Sequence, residues 1–356
     1  MIPMAEIRVY LLTCRRPILL RRALSSLLAQ TFTDWVCELH NDAPEDDAPA
    51  HALAELAPGD ARFTYHTHNP QWGPVASFNR CFRGGPEPYA ALLEDDNWWE
   101  PEMLATLYST IADQPAVALA WANMRVWREN EDASWMNTGS TVWPTDAKLR
   151  YFDWPVLLQA FEGLHSNGAM IFRRPGGGQG TVPAGTPLAI IEPVRERTFP
   201  GRFLFVPEVL ANFAQTRQSA RSAERALWAE GQLLLAASFF EGVPLTPAAW
   251  DELMGLCRRA TPRRTGMLML LALAGIRRRE ILSRVVLADI APFAYSCLGN
   301  LCENIRALGF RRTHAQLWAW LRNETAARTN EARQKGWTAL GAGSLFTKQA
   351  AGTEQR

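Results

Sequence analysis

The sequence contains few cysteines, and none of them is spaced as in a metal site or a redox motif. No C-x-x-C pair occurs among the six thiols in 356 residues, which are Cys14, Cys37, Cys81, Cys257, Cys297 and Cys302. This spacing argues against both a zinc site and a disulfide framework. We therefore expect free thiols and a reducing compartment.

Long apolar runs and a basic leader are also missing. The longest apolar stretches, at 267–276 and 232–240, are well below the roughly 20 residues that a membrane-spanning helix needs. Residues 1–7 lack the basic stretch and apolar run of a signal peptide. We expect a protein that has no transmembrane segment and works in the cytoplasm.

Neither sign of charge prevails over the whole chain, whose formal net charge is +1. Residues 1–222 carry 19 basic and 25 acidic side chains, whereas residues 223–356 carry 18 and 11. This asymmetry has two explanations, which are docking of two oppositely charged parts on each other and binding of an anionic partner by the C-terminal part. The length, at roughly 150 residues per domain, also favours two domains.

Short apolar runs alternate with helical patterns along the first 130 residues. Strands are predicted at 7–13, 35–41, 62–66, 89–94 and 117–127, and helices at 18–30, 75–82 and 101–113. This alternation predicts an α/β fold, a Rossmann-like, mainly parallel open sheet with flanking helices. Further strands at 168–172 and 202–206 complete it, and ligands are expected beyond the carboxyl ends of the strands.

The pattern changes after about residue 222, where all further segments are helical. We predict a nucleotide-binding catalytic domain at 1–222, an all-α C-terminal module at 223–336 and a poorly ordered tail at 337–356. Arginine clusters lie between the apolar faces of these helices, at 258–259, 263–264, 277–279 and 311–312. Solvated helix ends explain them most simply, and peripheral contact with an anionic membrane surface or binding of an acidic peptide or nucleic acid are the alternatives.

The segment at 89–104, YAALLEDDNWWEPEML, is the most informative part of the chain. A buried strand leads directly into Glu94, Asp95 and Asp96, whose adjacent charges require a cationic partner. Glu94 and Asp96 point to the same side of an extended chain, and carboxylate oxygens at a strand end suit Mg²⁺ or Mn²⁺. The alternative is a solvated acidic turn that caps the next helix.

Five motifs in order make the N-terminal half resemble the family 2 inverting glycosyltransferases of the GT-A fold. They read TCRRP at 13–17, SLLAQTF at 26–32, NDAP at 41–44, GPVASFN at 73–79 and LEDDNWWEP at 93–101. The resemblance covers roughly residues 7–107 and fades toward residue 222. It implies metal-assisted, inverting transfer of a sugar from a nucleotide-diphosphate donor, for which a UDP sugar is the first candidate. The sequence does not identify the acceptor.

The resemblance also implies roles for individual residues. The base and ribose of the donor would be bordered by Thr13, Arg15, Arg16 and Asp42, and Asn79 would hold the donor near the metal. Asp95 would belong to the donor site, and Glu94 and Asp96 would stand where the family carries its D-x-D acids, as ligands of Mn²⁺ or Mg²⁺. Relatives place a histidine near the metal, whereas residues 213–219 contain none.

An inverting transfer needs a general base that takes the proton of the acceptor. The resemblance implies Glu192 for this role, with Glu196 as the competing candidate. The alternative is that both glutamates only solvate a loop. Trp98 and Trp99 are candidates for stacking on a sugar ring, although large aromatic residues more often belong to a core.

Two other functions are compatible with the sequence. A sugar nucleotidyltransferase would need a glycine-rich basic loop after the first strand, and the residues there include arginines but no glycine. A non-catalytic nucleotide-binding scaffold would explain why Pro193 interrupts the acidic pair that relatives carry at Glu192.

Overall fold

The computed structural model describes residues 5–174, 180–217, 225–260, 262–299 and 301–337. The predicted tail beyond 337, the glycine-rich stretch at 175–179 and the proposed domain boundary at 222 lie outside these residues. Ten strands form one sheet: β1 (Ile7–Thr13), β2 (Trp35–Asn41), β3 (Phe63–Thr67), β4 (Tyr89–Glu94), β5 (Trp98–Trp99), β6 (Val117–Glu129), β7 (Trp135–Thr141), β8 (Arg150–Phe152), β9 (Met170–Arg173) and β10 (Arg202–Gln215).

The sheet has the order β3-β2-β1-β4-β9-β6-β10-β5, with β7 on β6 and β8 on β10. The first four strands pair in parallel, as do β6 and β10. Strand β9 runs antiparallel between β4 and β6, so the sheet is mixed. Because β1, β2 and β4 are parallel neighbours, their carboxyl ends meet at one edge.

The described residues before β10 form five α-helices: α1 (Pro17–Leu28), α2 (Ala48–Leu56), α3 (Pro74–Cys81), α4 (Met103–Ile111) and α5 (Ile191–Glu196). Helix α1 begins with Pro17, whose fixed φ suits the first turn of a helix. Its buried residues, Leu20, Ala23, Leu24 and Leu27, recur at helical spacing and face the sheet. The predicted α/β fold with flanking helices is confirmed.

The rest of the described chain is helical, in agreement with the prediction. Its helices are α6 (Arg225–Gly242), α7 (Pro247–Ala260), α8 (Pro262–Leu273), α9 (Arg278–Leu282), α10 (Leu287–Gly299), α11 (Leu301–Leu308), α12 (Phe310–Thr313) and α13 (Ala315–Gln334). None of the helices in the described part of the chain is both long and apolar enough to cross a bilayer.

The described residues form two hydrophobic cores. The first lies around the sheet, while the second surrounds α6, whose Leu234, Phe239 and Phe240 are fully buried. The second core also takes in apolar residues from 154–194, among them Trp154 and Ile190. The helices after residue 225 therefore pack on a segment that lies between β8 and β10 in the chain.

Candidate functional site

The acidic turn predicted from the sequence lies at the carboxyl edge of the parallel strands. Glu94 ends β4 and pairs in register with Leu12 of β1, while Thr13 pairs with Asn41 of β2. The backbone N–H of Asp95 donates to the Leu12 carbonyl oxygen at 3.1 Å. Residues from three separate motifs therefore meet at one edge because their strands are neighbours.

Asp95 holds the acidic turn against β1. Its Oδ2 accepts hydrogen bonds from Thr13 Oγ1 at 2.8 Å and from the Cys14 N–H at 3.3 Å. Burial, and then repulsion by Asp96, raises the pKa of Asp95 to about 7. The carboxyl group of Asp95 thus faces the protein, as the alternation of side chains along an extended segment predicts.

Two arginines, Arg16 just before α1 and Arg22 within it, neutralise part of the charge on the acidic turn. Arg16 contacts Asp96 Oδ2 at 2.7 Å and Asp95 Oδ1 at 3.4 Å. Burial alone would lower the pKa of Arg16, but the two carboxylates outweigh it and raise that pKa. Arg22 donates to the backbone carbonyl oxygen of Asp96 at 2.7 Å. These arginines supply the cationic partners expected beside three adjacent acids.

Glu94 lies at a close approach of two chain segments. Its Oε2 accepts a hydrogen bond from Asn97 Nδ2 at 2.9 Å. A Cβ atom at Gly168 would lie 2.5 Å from Asn97 Nδ2 and 3.2 Å from Glu94 Oε2. Position 168 therefore needs glycine, since any side chain would push the acidic turn away from the start of β9.

The residues proposed for the donor base lie beside this turn. The Asp42 carboxylate accepts the backbone N–H of Trp72 at 2.7 Å and that of Gly73 at 2.8 Å. It thereby fixes the start of α3, where Gly73 has a φ of +77°. Arg15 is exposed and pairs with Glu45, with Nε 2.7 Å from Oε1.

Asn79 clamps a distant loop. Its Nδ2 donates to the Val182 carbonyl oxygen at 2.8 Å, and its Oδ1 accepts the Val182 N–H at 3.0 Å. Both ends of the amide are therefore engaged by the segment that precedes α5.

The two candidate bases have different surroundings. Glu196 is fully buried, and its carboxylate accepts hydrogen bonds from the backbone N–H groups of Leu164 and His165, from His165 Nδ1 and from Gln159 Nε2, at 2.6 to 2.9 Å. Glu192 is only half-buried and accepts the backbone N–H of Asn167 at 3.1 Å. Since Asn167 adjoins Gly168, Glu192 lies on the same side of the fold as Glu94.

Arg195 is a residue of this region that the sequence did not single out. The buried guanidinium donates to the Gly180 carbonyl oxygen at 2.9 Å and to Asn167 Oδ1 at 3.3 Å. Burial lowers its pKa to about 10, and the nearby charges of Glu192 and Glu94 act in the opposite direction. Arg195 thus balances acids from both halves of the site.

The two tryptophans after the acidic turn differ. Trp99 is buried and donates from Nε1 to the Gly168 carbonyl oxygen at 2.7 Å. Trp98 is half-buried, and the Arg22 guanidinium carbon lies 3.7 Å from the centroid of its ring. Trp99 therefore belongs to the core, and Arg22 covers one side of Trp98.

The donor set of the acidic turn suits a hard divalent cation, because Glu94 and Asp96 offer carboxylate oxygens. A second group with ligand-like spacing is formed by Glu38, His40 and His66, whose ligand atoms lie within 4.8 Å of one another. There, however, Glu38 already pairs with Arg8 and with Arg80. Asp96 of the acidic turn is likewise paired with Arg16, so both groups have a guanidinium partner. The two groups differ in their ligands, which are carboxylates alone at the acidic turn and include two imidazoles at the second group.

Solved structures of known proteins share the overall fold of this chain. TarS from S. aureus in complex with UDP-GlcNAc has a TM-score of 0.53 at 12% identity, over 97% of this chain and 96% of that chain. The same protein in complex with UDP has a TM-score of 0.51 at 12% identity with the same coverage. The mannosyltransferase PcManGT from Pyrobaculum calidifontis, in complex with GDP-Man and Mn²⁺, has a TM-score of 0.48 at 14% identity, over 92% and 88% of the two chains.

No curated protein matches the chain. Residues 9–170 match the family model described as Glycosyl transferase family 2. This stretch begins in β1 and ends at the start of β9, so it contains all five motifs and the acidic turn. The resemblance is thereby confirmed: residues 9–170 match glycosyltransferase family 2, and the similar solved structures show a GT-A-like fold.

Proposed function

We propose that the protein transfers a sugar from a UDP sugar to an acceptor hydroxyl, with inversion at the anomeric carbon. The observation that carries this proposal is the approach of Glu94 and Glu192 to the segment at 167–168, with Asp96 in the same acidic turn as Glu94. This turn lies at the carboxyl edge of the parallel strands, within the stretch that matches the family 2 model. Parallel sheets bind ligands at this edge. The free thiols among the described residues favour a reducing compartment, so we place the reaction in the cytoplasm.

The residues of the candidate site have separate tasks. Glu94 and Asp96 would hold Mg²⁺ or Mn²⁺, which would stabilise the negative charge that grows on the diphosphate as the glycosidic bond breaks. Arg16 supports the same region with a guanidinium that already pairs with Asp96. Asp42 borders the base and ribose through the backbone that it fixes at Trp72 and Gly73.

Glu192 acts as the general base. Glu192 is half-buried and accepts the Asn167 N–H, whereas Glu196 is fully buried and enclosed by four donors. A base must reach the acceptor hydroxyl, and complete burial prevents Glu196 from doing so. We therefore assign proton removal to Glu192 and the positioning of His165 and the 159–165 segment to Glu196.

Ligand-dependent melting tests the donor site. We expect UDP-GlcNAc together with Mn²⁺ to raise the melting temperature by a few degrees, since a ligand at about 100 times its Kd stabilises the fold by about 2.7 kcal/mol. Other UDP and GDP sugars, each with and without Mn²⁺, are compared in the same assay. Asp96→Asn should remove the shift that needs Mn²⁺ and abolish transfer.

Asp113→Asn is the matched control, because Asp113 is an exposed carboxylate after α4. It should leave the shift intact. Equal shifts for the wild type and Asp96→Asn would contradict the metal role of Asp96, and the lack of a shift with every nucleotide sugar would contradict the donor site itself.

A further inference from the structure

An apolar face of the C-terminal helices is exposed to solvent. Leu282 at the end of α9, Val286 in the following turn, and Leu287 and Ile290 in α10 have exposed fractions of 44%, 48%, 86% and 44%. Four large apolar side chains within nine residues are unusual on the surface of a soluble protein, where such residues occur singly.

The exposure follows the helical repeat of α10. Leu287, Ile290, Ala291 and Ala294 lie at positions i, i+3, i+4 and i+7, and all four are exposed. The opposite side of the helix carries Asp289, which is buried and accepts two hydrogen bonds from Arg258 at 3.0 and 2.8 Å. Helix α10 thus presents its apolar stripe to the outside, the reverse of an ordinary surface helix.

Basic residues border this stripe. Arg278 and Arg279 are exposed on α9, one turn before Leu282, and neither forms an ion pair with any side chain that the structure describes. Their neighbours are already engaged, since Arg277 lies 3.6 Å from Glu280 and Arg284 lies 2.6 Å from Asp251. Two free positive charges therefore stand beside an exposed apolar stripe.

We propose that the α9–α10 face, defined by Arg278, Arg279, Leu282, Val286, Leu287 and Ile290, docks on an anionic lipid bilayer. Apolar side chains beside arginines are the composition of interfacial helices, which bury leucines at the acyl boundary while the arginines meet lipid phosphates. This contact adds a membrane surface to the proposed transfer reaction and does not depend on that reaction.

The charges favour a bilayer over a second copy of the chain. An isologous dimer through this face would bring two sets of Arg278 and Arg279 to one interface. The acids of the segment at 278–294 are Glu280 and Asp289, and both are already paired with arginines of their own chain. Lipid phosphates, by contrast, offer the missing negative charge.

Vesicle sedimentation with the full chain tests the proposal. We expect the protein to partition onto vesicles of equal parts phosphatidylglycerol and phosphatidylcholine, and to stay in solution with phosphatidylcholine alone. Leu287→Asp with Ile290→Asp should weaken the partition at least about tenfold. Arg278→Gln and Arg279→Gln should weaken it about fivefold each, and added salt should reduce binding of the wild type.

Two matched variants separate this face from general stickiness or charge. Leu149→Asp changes an apolar residue that is 51% exposed in the loop before β8, and Arg312→Gln removes an exposed arginine of α12. Both should bind vesicles like the wild type. All changed residues are exposed, so far-UV circular dichroism and melting curves should be unaltered.

Three results would overturn the proposal. One is equal partition onto the two kinds of vesicle, and another is a loss with Arg312→Gln as large as that with Arg279→Gln. The third is a wild-type dimer in light scattering that Leu287→Asp converts to a monomer, with no vesicle binding, because the face would then be covered by a second copy. Donor-dependent melting is measured separately, so failure of the docking proposal leaves the proposed reaction untouched.

Discussion

At the scale of single residues, Glu94, Asp95 and Asp96 have different surroundings, although they are consecutive in the sequence. Asp95 is buried and bound by Thr13 and Cys14, whereas Asp96 pairs with Arg16 and Glu94 is bound by Asn97. A buried carboxylate next to another carboxylate is costly in its charged form. Because the pKa of Asp95 is raised in the folded state, the free energy of unfolding depends on the protonation of Asp95.

The pH dependence of stability should show this cost. The pKa of Asp95 is about 7 in the folded chain, against about 3.9 for an unfolded aspartate, so the folded state binds the extra proton between these values. The stabilisation is complete below about pH 4 and is lost as the pH rises through 7. We expect Asp95→Asn to remove a decline on the order of 4 kcal/mol in the free energy of unfolding across this window, measured by urea titration.

Asp60→Asn provides the comparison. The hydrogen bond from Arg62, opposed by a smaller effect of burial, lowers the pKa of Asp60, so this residue contributes stability that is present at neutral pH and lost in acid. Asp60→Asn should therefore leave the decline between pH 4 and 7 in place. An unchanged slope in Asp95→Asn would show that Asp95 is ionised throughout the window.

Glu192 should separate catalysis from donor binding. We expect Glu192→Gln to lower the rate of transfer at least about 100-fold, because a positioned base contributes that much or more. Donor-dependent melting should persist, since the variant keeps the side-chain length and an oxygen that can accept the Asn167 N–H. Glu208→Gln, at an exposed position of β10, should retain full turnover. Loss of melting shift and turnover together would place Glu192 in the donor site instead.

At the scale of elements, the packing of α6 against α13 depends on one glycine. A Cβ at Gly242 would lie 2.6 Å from Thr325 Cγ2 and 3.0 Å from Thr325 Cβ, and Thr325 is fully buried. Neither atom can move aside without shifting a helix, because both belong to the stem of a β-branched side chain.

We expect Gly242→Ala to destabilise the fold by about 1 to 3 kcal/mol, as overpacking of a core does. Thr325→Ser removes the obstructing Cγ2 and keeps the hydroxyl that accepts a hydrogen bond from Arg197, so the double variant should recover part of the loss. Gly255→Ala is the control, because its Cβ would meet only the end of the Arg259 side chain at 3.3 Å. It should stabilise α7 by about 0.5 to 1 kcal/mol. Additive effects in the double variant would contradict the steric explanation.

The elements also show which structure can be predicted from local sequence. Strands β1, β2 and β4 agree with the prediction residue for residue, because each is an apolar run bounded by turn residues. Helix α2 and strand β7 were not predicted. The start of α2 reads as a turn, with Asp46 Oδ1 accepting the Ala48 N–H, and the polar strand β7 (WMNTGST) is held by pairing with β6.

The site divides in the same way. Thr13 ends β1, and Asp95 and Asp96 follow the end of β4, so these residues could be placed together from the order of the motifs. The hydrogen-bonded pair Asn79–Val182 joins positions that are 103 residues apart in the sequence. Arg195 donates a hydrogen bond to Asn167, which is 28 residues away in the sequence. No local pattern encodes such contacts, so the surroundings of Glu192 and Glu196 could not be predicted.

At the scale of the whole molecule, buried arginines tie the C-terminal helices to the segment that leads from α5 into β10. Arg197 follows α5 and donates to Ser238 Oγ at 2.5 Å, Thr325 Oγ1 at 2.9 Å and the Leu235 carbonyl oxygen at 2.8 Å. Its burial lowers its pKa to about 9. Arg328 of α13 donates to the carbonyl oxygen of Gly201, just before β10. If the two cores separated, the hydrogen bonds of Arg197 and Arg328 would break. A buried guanidinium or carbonyl group would then have no partner, which is costly.

These links predict that the two cores unfold together. Phe240→Ala in the second core and Leu24→Ala on α1 should each lower the melting temperature of one shared calorimetric transition. Each should reduce the free energy of unfolding by about 2 to 5 kcal/mol. The calorimetric and van't Hoff enthalpies should then agree. Because α5 carries Glu192 and lies in the second core, Phe240→Ala should also reduce turnover near its melting temperature in parallel with unfolding. Two transitions, of which Phe240→Ala moves only one, would mean that the helical module unfolds on its own and that Arg197 and Arg328 do not couple it to the sheet.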